Sequence, residues 1–315
     1  MDLVTQIIQN VILGVIQGLT EFLPVSSSGH LNIAKHLMGM QDAGLFLDVM
    51  LHIGTLAAVV IFYHKLIWRL IKAFFLMIKD IFTGKFKWSK MDSDRNLIVM
   101  LIIGLIPLFA LFLPIPGTDM KVKDLADMFT EHKYFIVVGL SLLMTSLLLF
   151  IGSVCNKHAA SGRHFKDTDA SYEGNGRARY GILDAVVVGI GQCFAALFPG
   201  LSRSGTTLAL GEIRGINKQA ALDYTFILGI PSIIAAAALE IKDVEFSTLS
   251  NDTIIVVVCG VAAAAIVGYL AIWLFKWLLK TDKMIVFVIY TLLVGITVTI
   301  ISVYELTTGS VVSFV

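Results

Sequence analysis

Two polar stretches in an otherwise apolar chain carry residues that could do chemistry. The first, residues 17–30, reads QGLTEFLPVSSSGH and places a carboxylate, three hydroxyls and an imidazole close together. The second, residues 198–207, reads FPGLSRSGTT and adds an arginine between two serines. A hydroxyl, an imidazole and a carboxylate are the parts of an activated nucleophile with its general acid or base. Because a guanidinium matches a phosphate group, the two stretches together predict phosphoryl chemistry on a membrane-embedded substrate.

Four residues of these stretches are candidates for catalysis, and three of them have a structural alternative. Glu21 would be an acid–base group or a metal ligand, unless it forms a structural ion pair with Arg203. Ser27 would be the nucleophile, unless it only caps a helix. His30 would be the general acid–base or would replace Ser27 as nucleophile, unless it is structural. Arg203 would clamp phosphate. His52 is interpreted as structural, because nothing in the sequence pairs it with the turn.

The rest of the chain has the composition of an integral membrane protein. Its 315 residues are 57% hydrophobic and 15% charged, with a mean hydropathy of +0.85, whereas a soluble domain carries about 25% charged residues. An all-α polytopic protein with about six full transmembrane helices is therefore predicted. The predicted spans are residues 97–117, 134–155, 254–275 and 284–304, with weaker candidates at 45–64 and 224–239.

The basic residues predict the orientation of these spans. Eighteen of the 24 Lys and Arg fall in four clusters, and five others are scattered. Since cytoplasmic loops carry an excess of positive charge, the clusters predict cytoplasmic segments and place both termini outside. One of these segments, residues 156–180, is a polar linker that divides a single membrane domain into halves of about 1–155 and 181–315. Its acidic residues and its place between spans argue against a nucleic-acid-binding arm.

The two halves share one pattern at an offset near 175 residues. The pattern Q-x6-P-x-SSSG at 17–29 resembles Q-x6-P-x2-SRSG at 192–205. The dipeptide Leu-Asp also recurs, with Asp48 and Asp223 at matching positions near the starts of spans. These two aspartates are predicted to be helix N-caps. Two blocks with a common offset indicate an internal repeat.

In each half, an apolar segment is followed by a proline and a hydroxyl-rich turn. Residues 11–23 and 185–198 are too short to cross the membrane, and a second apolar helix follows each turn. The economical interpretation is a re-entrant helical hairpin in each half, one entering from outside and one from inside, as in the inverted-topology repeats of many transporters. Where the two tips meet near the midplane, the free N–H groups of two helix starts would form an anion site.

The two turns together resemble the paired motifs of the undecaprenyl-diphosphate phosphatase family, the bacitracin-resistance proteins. The resemblance extends from about residue 8 to about residue 300. It implies a multi-pass enzyme of the bacterial inner membrane that hydrolyses undecaprenyl diphosphate to undecaprenyl phosphate and inorganic phosphate, which recycles the lipid carrier for peptidoglycan synthesis. It also implies inverted repeats, a site open to the external or periplasmic face, a homodimer and a divalent cation, Mg²⁺ or Ca²⁺.

Carried over by position, the resemblance makes Glu21, Ser27, His30 and Arg203 the catalytic set, with Glu21 also the candidate metal ligand. The residues that would bind the diphosphate are Gln17, Ser26, Ser28, Ser202, Ser204 and Thr207. Many members of the family have Glu where this chain has Gln17. An amide still binds, but it is neither a charged metal ligand nor a base, so this chain offers one carboxylate where those members offer two.

Two other classes of protein would explain part of the pattern. A flippase of a lipid phosphate, or another anion transporter, would also show inverted repeats, broken helices and an anion site at the midplane. A carrier needs the phosphate clamp but not the nucleophile and base, so Glu21, Ser27 and His30 favour the enzyme. A purely structural membrane protein would leave Glu21 and Arg203 unexplained.

Overall fold

The computed structural model describes residues 2–40, 45–88, 91–130, 134–162, 176–240 and 250–312. Over these residues the chain is helical, with two isolated β-bridges and no β-strand. The helices are α1 (Leu3–Phe22), α2 (Ser27–Leu37), α3 (Leu45–Phe62), α4 (His64–Phe82), α5 (Ser93–Leu105, continued by a 3₁₀ segment at Ile106–Phe112), α6 (Val122–Thr130), α7 (Phe135–Gly162), α8 (Ile182–Leu197), α9 (Arg203–Ile213), α10 (Lys218–Glu240), α11 (Asn251–Lys280) and α12 (Ile285–Thr308).

Six of the described helices are long and apolar enough to cross a membrane: α1, α5 with its 3₁₀ segment, α7, α10, α11 and α12. Helices α3 and α4 together make a seventh candidate that is bent by 82°. The prediction of an all-α polytopic membrane protein is confirmed. Helix α1 is longer than the predicted half-span, because it begins at Leu3 rather than Val11. Asp2 caps it by accepting a hydrogen bond from Thr5 N. Within the helix, Asn10 Nδ2 donates a hydrogen bond to Gln6 O at 2.9 Å.

Helix α1 runs parallel to α11 through contacts of small residues. A Cβ at Gly14 would collide with the carbonyl of Gly260, and a Cβ at Gly18 would lie 2.8 Å from Gly268 N. Small residues of this kind let two membrane helices approach closely. Both contacts advance along the two helices in the same direction, so the start of α1 lies beside the start of α11.

Helix α2 returns to the face from which α1 started. Near its end, His36 Nε2 lies 2.9 Å from Glu305 Oε1, in the last turn of α12. Since α11 and α12 follow each other through a short turn, the end of α12 lies on the side where α11 begins. We call this side, marked by Asn251 and Thr308, face A, and the side marked by Lys280 and Ile285 face B. The first hairpin, α1–α2, enters and leaves through face A.

The second hairpin, α8–α9, opens at face B. Helix α7 runs antiparallel to α12, because a Cβ at Gly139 would meet Thr299 and one at Gly295 would meet Leu143. Helix α7 therefore ends at face B, and α9 runs along it in the same direction. The hairpin closes there through the ion pairs that Asp184 of α8 makes with basic residues at the end of α9 and before α8, which are Arg214 (2.8 Å) and Arg177 (2.9 Å).

The two hairpins are packed in equivalent ways, as an inverted repeat requires. Gly189, which lies 175 residues after Gly14, contacts the backbone of Gly104 on α5, as Gly14 contacts Gly260 on α11. Each hairpin thus packs against spans of the other half: α1 against α11, and α8 and α9 against α5 and α7. This exchange of spans places the two hairpin tips between the halves, near the middle of the molecule.

The prediction that Asp48 and Asp223 are helix N-caps is wrong. Asp48 is the fourth residue of α3, and Asp223 is the sixth residue of α10. Helix α10 starts earlier because Asn217 caps it, with its side-chain oxygen accepting from the N–H of Gln219 at 2.9 Å. Both aspartates instead pair with lysines of neighbouring helices. Asp48 lies 2.6 Å from Lys35 Nζ, and Asp223 lies 3.0 Å from Nζ of Lys276, a lysine near the end of α11.

Part of the predicted polar linker is helical. Helix α7 continues through Gly162, and therefore covers the first residues of the stretch 156–180. Residues 163–175 of the linker lie outside the described residues. Before α8 begins, Arg179 donates a hydrogen bond to Ser93 Oγ at 3.0 Å, which joins the end of the linker to the start of α5.

Candidate active site

The two polar turns fold into matching helix starts. Ser26 is the N-cap of α2, and its hydroxyl accepts a hydrogen bond from Gly29 N at 3.2 Å. Ser202 is the N-cap of α9 and accepts from Gly205 N at 3.0 Å. Ser26 adopts this position with a φ of 73°, a conformation that is uncommon for a residue other than glycine. Each serine satisfies one N–H of the first turn and leaves other N–H groups of that turn available for an anion.

The tips of the two hairpins touch, as the sequence predicted. Ser204 Oγ donates a hydrogen bond to Leu23 O at 3.1 Å. A Cβ at Gly29 would lie 3.0 Å from Gly200 Cα, so the two backbones are in contact at this point. Non-helical backbone at this depth is tolerated because it is enclosed by protein.

Three of the predicted site residues converge on the carboxylate of a fourth, Glu21. Arg203 Nη2 donates to Glu21 Oε1 at 2.5 Å. Ser27 Oγ donates to Glu21 Oε2 at 2.6 Å, and Gln17 Nε2 donates to the same oxygen at 3.0 Å. Glu21 is only 5% exposed. The second guanidinium nitrogen of Arg203 donates to Gly229 O at 3.2 Å, which fixes the plane of the group.

Ser27 and Arg203 reach Glu21 from equivalent places. Each is the first residue of its helix, directly after the capping serine. A carboxylate between a hydroxyl donor and a guanidinium can accept the proton of that hydroxyl while the positive charge stays in place. The two helix starts and the arginine also concentrate positive potential at the same point. The arrangement can therefore bind a phosphate and activate a nucleophile beside it.

His52 belongs to this site, although the sequence interpretation found no link between it and the turn. Its Nε2 lies 3.8 Å from Glu21 Oε2, and its Nδ1 lies 2.7 Å from Asp48 O. A carbonyl oxygen only accepts, so Nδ1 carries a hydrogen and the Nε2 position faces the carboxylate. The sequence signal that could have found it is a histidine in the middle of an apolar segment, since such residues are functional candidates by default.

His30 lies beside the cluster but is not bonded to it. Its Nδ1 lies 2.8 Å from Ser26 O, and its Nε2 lies 2.7 Å from the hydroxyl of Tyr290 on α12, with the two rings stacked at 5.6 Å. Nδ1 must donate to the carbonyl, so in the neutral ring Nε2 accepts from Tyr290. Among the described contacts, no hydrogen bond joins His30 to Glu21 or Ser27.

The remaining predicted binding residues fall into two groups. The serines form matching pairs at the two helix starts, Ser26 with Ser28 at 3.3 Å and Ser202 with Ser204 at 3.2 Å. Thr207 is instead buried between α9 and α10, where its hydroxyl bonds to Thr225 at 3.0 Å and to Arg203 O at 2.9 Å. The serine pairs line the contact between the tips, whereas Thr207 joins α9 to α10.

The donor chemistry around Glu21 suits a cation that is shared with a substrate. Among the described residues, no three His, Cys, Asp or Glu gather to hold a metal ion. However, Gln17 Oε1 is buried without a hydrogen-bond partner in the part of the chain that the structure describes, and it belongs to the side chain that donates to Glu21 Oε2. One carboxylate, one amide oxygen and the oxygens of a diphosphate are the type of ligand set that Mg²⁺ accepts.

We expect Gly200→Ala to destabilise the packing of the second hairpin tip against α7. Gly200 has a φ of 94°, and an added Cβ would lie 2.5 Å from Val138 O and 3.0 Å from Ser141 Cβ. The left-handed backbone alone costs an L-residue about 1–2 kcal/mol, and the collision adds to this. The measurement is the thermal unfolding midpoint of the detergent-solubilised protein.

The matched control for that substitution is Gly215→Ala. Gly215 has a φ of 77°, but an added Cβ meets nothing within 4 Å, so this variant carries the conformational cost without the collision. A fall in the midpoint that is equal for both variants would contradict close packing between the second tip and α7.

Comparison with known proteins agrees with this geometry. Residues 10–297 match the family described as "Bacitracin resistance protein BacA". The chain is 37% identical over 289 residues to "Undecaprenyl-diphosphatase" of Alkaliphilus metalliredigens, covering 90% of this chain and 94% of that protein. It is 36% identical to "Undecaprenyl-diphosphatase" of Methanobrevibacter smithii, covering 93% and 96%. It is also 36% identical to "Undecaprenyl-diphosphatase 4" of Bacillus thuringiensis strain Al Hakam, covering 90% and 93%. The chain therefore belongs to the BacA family of bacitracin-resistance proteins.

Proposed function

We propose that this multi-pass membrane protein is an undecaprenyl-diphosphate phosphatase. It hydrolyses undecaprenyl diphosphate to undecaprenyl phosphate and inorganic phosphate, which returns the lipid carrier to cell-wall synthesis and confers bacitracin resistance. The observation that carries the proposal is the convergence of Ser27 and Arg203 on the buried carboxylate of Glu21, at 2.6 and 2.5 Å. A carrier of lipid phosphates needs the arginine but has no use for a hydroxyl bonded to a carboxylate.

The diphosphate would bind where the two tips meet. Arg203 would contact the terminal phosphate through its guanidinium, and the free N–H groups at the starts of α2 and α9 would contact other oxygens. The serine pairs of the two turns supply further hydroxyl donors within the same small region. The polyprenyl tail would lie between helices in the hydrocarbon region. These donors are in place before the reaction, so they stabilise the negative charge that develops as the anhydride bond breaks.

In the proposed reaction Ser27 Oγ attacks the terminal phosphorus, and Glu21 Oε2 takes its proton. The bond from the phosphorus to the bridging oxygen breaks, and undecaprenyl phosphate leaves. Water then attacks the phosphoserine, which releases inorganic phosphate and restores the hydroxyl. The hydrogen bond between Ser27 and Glu21 supports this assignment. A water molecule activated by Glu21 is the alternative nucleophile, whereas Nε2 of His30 would first have to leave the hydroxyl of Tyr290.

We propose that a divalent cation, Mg²⁺ or Ca²⁺, binds together with the diphosphate. Glu21 and Gln17 would be its protein ligands, since the first is a carboxylate and Oε1 of the second is a buried oxygen without a partner among the described residues. When bound, the cation supplies positive charge that offsets the charge of the diphosphate. A chelator is therefore expected to reduce phosphate release.

The site would be reached from the external side of the plasma membrane. Face B carries Lys276, Lys280 and Lys283 near the end of α11, and Arg214 and Lys218 between α9 and α10. The positive-inside tendency supports a cytoplasmic location for face B and an external location for face A, from which the first hairpin enters. The family resemblance also implies a homodimer, and light scattering on the purified protein would test this prediction.

The test of the proposal is phosphate release from undecaprenyl diphosphate by the purified protein in detergent, with added Mg²⁺ or Ca²⁺ and with chelator. Release that depends on the cation supports both the phosphatase and the metal site. Release that persists in the presence of chelator would show that the reaction needs no divalent cation, and the proposed metal site would be wrong. If a well-folded protein releases no phosphate under any of these conditions, the phosphatase is wrong, and transport of lipid phosphate in vesicles becomes the experiment.

We expect Ser27→Ala to lower kcat by about 10³-fold or more, because the variant lacks the attacking oxygen and keeps only the groups that bind phosphate. KM should change little, because the helix start and Arg203 remain. The control is Ser302→Ala, which removes a hydroxyl whose hydrogen bond, among the described residues, is to Val298 O within α12. Full activity of Ser27→Ala would transfer the attack to water or to His30.

A further inference from the structure

Helix α4 leaves the bundle at a steep angle. It follows α3 after a single residue, Tyr63, and the two axes differ by 82°. Helix α3 is parallel to α11, because Gly54 contacts Val261 and Ala58 contacts Gly268 further along. Since α11 spans the membrane and ends at face B, α3 also ends there. Helix α4 therefore extends sideways at face B, close to the plane of the membrane surface.

The surface of α4 is divided into three strips. One strip is buried against the protein and contains Leu70, Ala73 and Met77. A second strip is apolar and exposed, with Trp68 at 59%, Phe75 at 64% and Phe82 at 86%. These three aromatic residues are seven positions apart, so they lie within about 40° of one another around the helix.

The third strip is basic. Lys65, Lys72 and Lys79 are also seven positions apart and lie next to the aromatic strip. Lys72 Nζ lies 5.2 Å from the centre of the Trp68 ring, which joins the two strips. Among the described residues, none of the three lysines forms an ion pair with a carboxylate.

Two ion pairs fix the orientation of α4. Arg69 Nη2 lies 2.9 Å from Asp94 Oδ1, and Asp80 Oδ2 lies 2.7 Å from Arg95 Nη2, so both ends of the helix are tied to α5. The aromatic and lysine strips therefore keep one direction relative to the spans. The charges on α4 exclude a position within the hydrocarbon, where each would be costly.

We propose that α4 binds the anionic lipid headgroups of the leaflet at face B. The aromatic strip would enter the boundary between headgroups and acyl chains, and the three lysines would contact the negative headgroups beside it. A neutral lipid could bury the aromatic strip but offers no negative charge to the lysines. An acidic soluble protein offers negative charge but no apolar layer into which the aromatic strip could insert. The proposal does not depend on the phosphatase activity.

The experiment uses Trp68 as a probe in the full chain. In a Trp88→Phe/Trp273→Phe/Trp277→Phe background, Trp68 is the remaining tryptophan of the four. This protein is reconstituted into phosphatidylcholine vesicles that contain increasing fractions of brominated phosphatidylglycerol or brominated phosphatidylcholine. We expect half-maximal quenching of Trp68 at a several-fold lower fraction of the brominated phosphatidylglycerol, because this lipid is enriched around the lysines.

Two variants complete the test. Lys65→Gln/Lys72→Gln/Lys79→Gln should make the two brominated lipids quench equally, while quenching by brominated phosphatidylcholine shows that α4 is still folded and in the bilayer. Lys280→Gln/Lys283→Gln, which removes basic residues of face B away from α4, should keep the preference. Equal quenching in the parent protein, or a preference that survives the triple substitution, would overturn the proposal. An absence of quenching by either lipid would do the same, because it would place Trp68 outside the bilayer.

Discussion

Arg203→Ala is expected to lower kcat/KM for undecaprenyl diphosphate by about 10³-fold, the lower end of what a positioned arginine contributes to phosphoryl transfer. The guanidinium is held by Glu21 at 2.5 Å and by Gly229 O at 3.2 Å. It is therefore fixed before the substrate arrives, and no ordering is needed when charge develops on the phosphate. Its removal also leaves the buried carboxylate of Glu21 without its counter-charge.

Arg203→Lys tests whether the positive charge is sufficient without the planar shape of the guanidinium. A lysine keeps the positive charge but cannot contact Glu21, Gly229 O and a phosphate in one plane, so we expect it to recover only a small part of the activity. The matched control is Arg95→Ala, which breaks an Arg–Asp pair of 2.7 Å between α4 and α5. Activity of Arg203→Ala equal to that of Arg95→Ala, with both proteins folded, would contradict the phosphate clamp.

The sequence predicted the chemical core of the site because its residues lie close together along the chain or at matching repeat positions. Glu21 and Ser27 are six residues apart, and Arg203 occupies the place in the second repeat that Ser27 occupies in the first. Proline and serine then define where each helix stops and restarts. These local signals were sufficient to predict that the two tips meet.

The sequence did not predict the contacts made by residues on distant helices. His52 reaches Glu21 from α3, and Tyr290 reaches His30 from α12, 260 residues further along the chain. Such contacts depend on how the spans of one half pack against the hairpin of the other, and no local pattern encodes that packing. The bend after Tyr63 was also missed, because hydropathy follows the apolar residues of α3 and is insensitive to the direction of the next helix.

The two repeats provide equivalent helix starts at the tips, but only the first repeat contributes a carboxylate to the site. The residue that matches Glu21 at the offset of 175 is Ala196. Both turns provide a capping serine and a free helix start, so both can hold phosphate oxygens. Proton transfer, by contrast, depends on a single group that accepts from Ser27 while it pairs with Arg203. The inverted repeat therefore explains the anion site, and the difference between the repeats explains the catalysis.

Glu21→Gln should accordingly be as damaging as the loss of the arginine. The amide keeps the size of the side chain and can still accept one hydrogen bond, but it cannot take the proton of Ser27 or balance Arg203. We expect kcat to fall by about 10³-fold, the range of a general base whose charge is also used in the site. The measurement is the steady-state rate of phosphate release, with the thermal midpoint of each variant as the check on folding.

The matched control is Glu305→Gln, because Glu305 is also buried and also pairs with a basic side chain of another helix, His36 of α2 at 2.9 Å. It lies at face A, away from the tips, and its loss should alter stability more than kcat. The double variant Glu21→Gln/Arg203→Ala tests whether the pair acts as a unit. If it does, the double variant is about as slow as the more damaged single variant, because residues that act together are not additive. Losses that multiply would instead show that Glu21 and Arg203 act in independent steps, and the proton transfer from Ser27 would then not depend on the arginine.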